Sequence, residues 1–308
     1  MIYTVTLCPA LDRTLVIPSF AAGKVNRVTD SRTDPGGKGI NVSKVIKALG
    51  GESVALGIVG GSTGDAICQA LHDMGIKTDF VFSRAETRIN TKITDPESGM
   101  TTDINSPAVL NRDEADAVLN KLLSLVKEGD CAVISGKMDE KAVDAGAWVR
   151  ALKEKGVSVF LDTGKEALVS GAQAGPFLIK PNEYELTHLT GKPFESEAEL
   201  LRDARRLITE NGIGIIAVSM GEKGAYFINQ NGDALFIEGL SVPCVCTTGA
   251  GDAMTAALCF GYHGHMGFEA MCSLATAAGA AEVTCPGTSV PAKELIEELT
   301  ARVRIRRL

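Results

Sequence analysis

Apolar runs of strand length alternate along the chain with segments whose apolar positions recur at helical spacing. The strand-like runs are 3–7, 54–59, 132–135, 157–162, 177–180 and 215–219, rich in Val, Ile and Phe and ending near Gly, Ser or Asp. Between them, Val42, Val45, Ile46 and Leu49 follow Asn41 at helical spacing, and Ala115, Val118, Leu119, Leu122 and Val126 follow the expected cap Asn111. Near-continuous apolar strands alternating with amphipathic helices predict an α/β fold, a mainly parallel sheet covered by helices on both faces. Two segments, 14–33 and 87–105, break the rhythm. They alternate polar and apolar residues and carry many Thr, Val and Ile, the mark of antiparallel strands with one solvated face. They predict a small β-lid formed by two insertions, about 12–33 and 87–106, in one domain spanning residues 1–308.

Composition narrows the setting. The 308 residues carry 45% hydrophobic and 22% charged side chains, ordinary for a soluble globular protein, and a net charge of −7. That balance disfavours nucleic acid as a partner, while a local basic cluster still admits a small anion. Residues 3–7 are too few for a secretory leader, and Asp12 and Arg13 follow at once. The apolar stretch 253–283 contains His263, His265 and Glu269, so it is read as buried core helices rather than a membrane span. The eight cysteines are scattered, and Cys244 and Cys246 form a lone C-x-C without the second pair of a zinc site. Most are expected to be buried in a reduced, cytoplasmic protein.

Several chemistries are excluded by motif. Every Gly-Lys fails the P-loop requirement for a following Ser or Thr, at Lys24, Lys38, Lys137, Lys165 and Lys192. No G-x-G-x-x-G follows the first strand, and H-E-x-x-H and G-x-S-x-G are missing. Two glycine-rich turns remain. Gly36-Gly37-Lys38-Gly39-Ile40-Asn41 lets backbone approach a ligand at a helix start, where Asn41 is expected both to cap the helix and to bond a hydroxyl. The plainer alternative is a turn that caps a helix. Thr247-Thr248-Gly249-Ala250-Gly251-Asp252 opens the apolar helix, and its free amides and helix dipole suit charge building on a phosphoryl group. An acid beside an anion site is unfavourable without a task, and the natural task for Asp252 is to take a proton from an attacking hydroxyl. The alternative is an N-terminal helix acid favoured by the dipole alone.

Taken together, T-x-G-A-G-D, G-G-K-G-x-N and Asp12 in Pro9-Ala10-Leu11-Asp12 resemble the PfkB, or ribokinase-like, sugar kinases. Lys180-Pro181-Asn182-Glu183-Tyr184-Glu185 looks like the family's N-x-x-E segment, and Ser219-x-Gly221-x-x-Gly224 like its nucleotide loop. Residues 34–42, 87–90 and 102–105 are similar to the 1-phosphofructokinase branch, with tagatose-6-phosphate and 6-phosphofructokinases close by. The resemblance implies a three-layer α/β/α kinase using ATP and Mg²⁺ on a phosphosugar, assembled as a homodimer through the β-lid. It implies Asp252 as base with Gly249, Ala250 and Gly251 as the anion hole. Asp12, Gly37, Asn41 and Asn90 would meet the sugar, and Arg27, Lys38 and Arg88 its phosphate. Asn182 and Glu185 would hold Mg²⁺ through water, the alternative being an ordinary helix cap with its acid. Lys180, Asn182, Ser219, Gly221, Gly224, Thr248, Thr284 and Gly287 would border the nucleotide. The chain departs from the family at Ser135-Gly136-Lys137-Met138-Asp139, where Ser-Gly-Ser-Leu-Pro is usual. Lys137 is therefore either a phosphate contact or a solvated surface charge. That departure also keeps open a non-catalytic sugar-phosphate-binding protein.

Overall fold

The computed structural model describes residues 1–308. In chain order the strands are β1 (Ile2–Thr6), β2 (Ala10–Val16), β3 (Asp30–Gly36), β4 (Ser53–Gly60), β5 (Lys77–Thr78), β6 (Val81–Ser83), β7 (Arg88–Asp95), β8 (Met100–Asn105), β9 (Cys131–Ser135), β10 (Ser158–Asp162), β11 (Leu178–Ile179), β12 (Ile215–Ser219), β13 (Gly224–Asn229), β14 (Ala234–Glu238) and β15 (Ile305–Arg307). The helices are α1 (Lys38–Ala48), α2 (Gly61–Asp73), α3 (Arg112–Leu125), α4 (Ala145–Glu154), α5 (Lys165–Gln173), α6 (Glu183–Thr190), α7 (Glu197–Asn211), α8 (Ala250–His263), α9 (Phe268–Glu282) and α10 (Lys293–Ala301).

Eleven strands form the main sheet, ordered β15-β14-β13-β12-β11-β10-β9-β1-β4-β5, with β6 also on β4. Pairing is parallel from β12 through β4 and antiparallel from β12 out to β15. The expected mainly parallel sheet is therefore present, with an antiparallel edge that the periodicity left unread. Successive residues of each central strand enter opposite cores, as two-residue periodicity requires. Ala132 and Ile134 join one cluster with Val118, Trp148, Leu168 and Leu200, while Val133 joins the other with Val42, Val45, Leu258 and Ala275. Helices α3 to α7 thus cover one face, and α1, α8, α9 and α10 the other. Phe160 is fully buried in the second core, and its truncation to Ala would cost about 3–5 kcal/mol.

A second, four-stranded sheet runs β3-β2-β7-β8. Each insertion makes an antiparallel hairpin, as its alternation predicts, but β2 and β7 join the two hairpins in parallel. The register sets Asp12 opposite Asn90 on one side and Asp34 on the other. Residues 17–29, expected within the lid, form a connection rather than a strand.

Asn41 is not a cap: α1 begins at Lys38 with Gly37 as its N-cap, at φ 127°, and Asn41 lies inside the helix. Glycine is what allows that start, because a Cβ at Gly37 would stand 2.5 Å from Thr6 Cγ2. Most cysteines are not buried either. Only Cys131, Cys259 and Cys272 are, and Cys244 is exposed.

Candidate active site

Thr6, Ser135, Asp162 and Ser219 end β1, β9, β10 and β12, and Lys180 follows β11 by one residue. All five line one cleft of about 440 Å³ across the carboxyl ends of adjacent strands, the edge where open α/β sheets bind ligands. The lid contributes Asp12, Arg88 and Asn90 from above, α1 contributes Lys38 and Asn41, and α8 contributes Gly251 and Asp252.

Asp252 is buried in the first turn of α8. Its Oδ2 accepts a hydrogen bond of 2.8 Å from Asn41 Nδ2, and no side chain bonds Oδ1. Burial and then the nearby Asp162 carboxylate push the Asp252 carboxyl up to about 6, against the pull of Lys38, Asn41 and Lys180. The turn before it is left-handed at Gly249, φ 93°, and no side chain caps the helix. The first intrahelical bond comes from Ala253 to Gly249, so the Ala250, Gly251 and Asp252 amides stand free at the positive end of the dipole. A Cβ at Gly251 would lie 3.1 Å from Lys180 Nζ, and one at Gly249 would lie 2.7 Å from Glu282 Oε1.

Asp162 was missed by the sequence reading, yet it organises the floor. Its Oδ1 faces Lys38 Nζ at 3.2 Å, and its Oδ2 faces Lys180 Nζ at 3.3 Å and Thr255 Oγ1 at 3.0 Å. Burial works against its charge, but Lys180 and Lys38 prevail and hold its carboxyl below the usual range. Lys38 is correspondingly raised, chiefly by Asp162. The available signal was an acid closing an otherwise apolar strand just before Thr163-Gly164. Cys8, Thr6, Ser135, Gly136 and Thr288, none assigned from sequence, also line the cleft.

On the lid side, Asp12 accepts from Asn90 Nδ2 at 2.9 Å, and burial pushes its carboxyl up despite that bond. Arg88 is already engaged: its Nε, Nη1 and Nη2 donate to the carbonyls of Pro9, Ser106 and Cys8 at 3.4, 3.1 and 3.3 Å. A guanidinium has five donors, so two remain for a ligand. Lys137 lines the same cleft and, with Arg88, acts electrostatically on Cys8. Buried Asn41 Oδ1, Asn90 Oδ1 and Ser135 Oγ have no hydrogen-bond partner within the protein. Each such group costs about 1–3 kcal/mol unless something bonds it, and all three line this cleft. The wall is suited to a ligand dense in hydroxyls.

At the opposite end, Asn182 and Glu185 form a reciprocal capping box at the start of α6, at 2.8 and 2.9 Å. Glu185 commits only one carboxylate oxygen to it. Ser219, Thr248 and Gly249 lie in the same cleft. Gly221, Gly224, Thr284, Gly287, Ala250 and Arg27 do not line it. Gly224 has its own structural reason, since a Cβ there would stand 2.0 Å from the Ile237 carbonyl. Arg27 is exposed on the connection between β2 and β3.

The likenesses to known proteins agree with this geometry. The chain is 34% identical to the 1-phosphofructokinase of Borreliella burgdorferi, over 91% of each chain. It is 30% identical to that of Vibrio cholerae, over 99% of this chain and 96% of the relative. The phosphofructokinase-2 of Escherichia coli, solved in complex with fructose-6-phosphate, superposes with a TM-score of 0.90 at 27% identity, over 98% of both chains. The model of the pfkB family of carbohydrate kinases matches residues 6–295, a span that runs from the end of β1 through the lid, the Asp162 floor and the Asp252 turn, and the chain belongs to that family of kinases.

Proposed function

We propose that the chain transfers the γ-phosphoryl group of ATP to the 6-hydroxyl of fructose 1-phosphate, with Asp252 as the general base. The observation that carries this reading is the placement of Asp252: a buried carboxyl beside three free helix amides, in a cleft walled by unpaired hydroxyl-seeking groups. The sugar hydroxyl gives its proton to Asp252 Oδ1 while its oxygen attacks the γ-phosphorus. The bond from that phosphorus to the bridging oxygen breaks, and ADP leaves with the electron pair. The free amides of Ala250, Gly251 and Asp252 form the anion hole for the charge on the transferring group. Lys180, in reach of Gly251, and Lys38 supply positive charge on either side of Asp162.

Asp12, Asn41, Gly37 and Asn90 bind the sugar, and Arg88, Lys38 and Lys137 its phosphate. Ser219, Thr248 and Gly249 border the nucleotide, with the 221–224 and 284–287 turns behind them. No cluster of three or more His, Cys, Asp or Glu side chains is present that would cage a metal by protein alone. Mg²⁺ suits the site nonetheless, because it is ordinarily held by one or two carboxylates with water and substrate phosphates. Glu185, with its uncommitted oxygen, and Asn182 would hold it, and it would neutralise phosphate charge.

Fructose 1-phosphate is preferred because the chain's curated relatives are named 1-phosphofructokinases. The test is ADP release with fructose 1-phosphate, fructose 6-phosphate and tagatose 6-phosphate in parallel. Greatest kcat/KM on fructose 1-phosphate supports the reading. Preference for either 6-phosphate reassigns the substrate, and binding without turnover makes the chain a binding protein.

The lid exposes Ile89, Met100 and Ile104, and β8 is an exposed edge strand. Such edges are ordinarily covered, and we propose that a second copy covers them, bringing its Arg27 to the phosphate. Sedimentation at micromolar concentration should show a dimer; a lone 32.3 kDa species would oppose it.

A further inference from the structure

Lys44 lies mid-way along α1 and is only 4% exposed. A buried ammonium is rare unless its three donors are met. Here they are met by neutral oxygens: the Pro35 carbonyl at 3.1 Å, the Thr288 carbonyl at 2.8 Å and Thr288 Oγ1 at 3.3 Å. Burial lowers the Lys44 ammonium below the usual lysine value, and Asp34, Glu282, Asp12 and Asp252 offset part of that cost.

The two tethered carbonyls belong to different halves of the site. Pro35 sits near the end of β3, immediately before the Gly36-Gly37-Lys38 turn on the sugar side. Thr288 lines the cleft and follows the 284–287 turn. That region is itself tied to the irregular segment leading into the anion hole, since Cys246 N donates to the Val283 carbonyl at 3.1 Å. One side chain therefore bonds backbone on both sides, through contacts with discrete geometry rather than diffuse packing.

We propose that Lys44 is a positioning residue that couples the two halves of the cleft, so that ordering the 284–288 segment by nucleotide also orders the 35–41 segment, where β3 turns into α1, that receives the sugar. The ammonium touches neither substrate. Coupling follows because loosening either carbonyl leaves a buried charge short of an acceptor, so the two segments gain by being ordered together. This inference rests on the kinase reading only for the identity of the nucleotide.

The test is amide hydrogen exchange on the full chain, wild type against Lys44→Met, without ligand and with magnesium adenylyl imidodiphosphate. Without ligand, the variant should exchange roughly 10- to 100-fold faster in both 36–41 and 285–289, the factor a charge-assisted hydrogen bond supplies, with α10 unchanged. With nucleotide, protection should spread from 248–251 to 36–41 in the wild type and stop short of 36–41 in the variant. If Lys44→Met does not fold, Lys44→Gln, a shorter polar stem, is read the same way. Loosening of one segment alone, or protection that reaches 36–41 equally without Lys44, overturns the coupling. Failure of the kinase reading looks different: no protection at 248–251 in the wild type, with the ligand-free comparison still deciding Lys44.

Discussion

Asn41 Nδ2 and Asp252 Oδ2 lie 2.8 Å apart, joining the first turns of α1 and α8 across 211 positions of chain. The bond fixes one carboxylate oxygen and leaves the other without a side-chain partner, on a residue that lines the cleft. It also stabilises the ionised form, partly offsetting the desolvation that raises this carboxyl. The proposed base is thus held both in place and close to its working range.

A pH profile follows. The base acts ionised, so kcat/KM should rise with pH and level off above about 6, where Asp252 has lost its proton. Asp252→Asn should lower kcat about 10²–10⁴-fold with nucleotide binding little changed. Near-normal turnover by that variant would remove Asp252 from the role.

Asp162→Asn should move the same limb to lower pH, because the Asp162 carboxylate helps to hold Asp252 up. It should also destabilise the fold by about 3–5 kcal/mol, the scale of leaving a buried partner such as Lys180 unpaired. The wild-type Asp162 carboxyl is lowered on folding, so its contribution is present above its unfolded value of 3.8 and is lost as pH falls through its lower folded value. The stability gap between the two proteins should close in strong acid. Denaturant melts across pH measure this.

Arg88→Lys should raise KM for the phosphosugar and leave KM for ATP nearly unchanged, because a fork becomes a point charge. It should also cost about 1 kcal/mol or more of stability, since Arg88 serves three carbonyls at the root of the lid. Equal effects on both substrates would place Arg88 outside the phosphate site.

Lys137→Ser should reduce kcat/KM roughly ten- to a hundredfold for the phosphosugar, the scale of one charge-assisted bond. The loss should be smaller for the unphosphorylated sugar. An unchanged preference across the sugar-phosphate panel would return Lys137 to a solvated role at the cleft wall.

Glu282 offers a stability test away from turnover. It is 2% exposed and its Oε2 has no partner. Burial, opposed by Lys44 and aided by Asp252, pushes its carboxyl up to about 7 from 4.5. A raised carboxyl stabilises the folded state below its unfolded value, and that stability is lost as pH rises through about 7. Glu282→Gln should flatten the dependence of Tm on pH between those values. An equally sloped profile would show that Glu282 does not titrate on folding.

Much of this architecture is legible in residue order. Six apolar runs become strands of the main sheet because burial on both faces leaves a continuous signal, and Asn111 caps α3 as its side chain suggests, accepting from Asp113 N at 2.8 Å. Lys38, Lys180, Asn182, Ser219, Gly251 and Asp252 converge because each ends or follows a strand or opens a helix. What escaped depends on partners distant in sequence. Asn41 reads as a cap locally, and only α8 shows that its amide is spent on Asp252. Asp162 becomes a bridge only when α1 and the end of β11 place an ammonium on each of its oxygens. Lys44 stands four residues after Ile40 and four before Ala48, and two of its three acceptors are backbone oxygens, which no residue type announces. The antiparallel edge escaped although β13 and β14 are largely apolar, because periodicity along one strand does not state the direction in which its neighbour pairs.

The parallel pairing of β2 with β7 bears on which insertions and deletions the gene can tolerate. Asp12 meets Asn90 only in one register, and a shift of a single residue turns every side chain of a strand to the other face. One codon added within β2, between Ala10 and Asp12, would turn Asp12 to the other face and away from Asn90. The same codon added among residues 19–27, or at the turn around Gly99, lies beyond the paired residues and would lengthen a loop at little cost. Length variation among natural versions of this chain should therefore gather at the far ends of the lid hairpins and be absent from their roots.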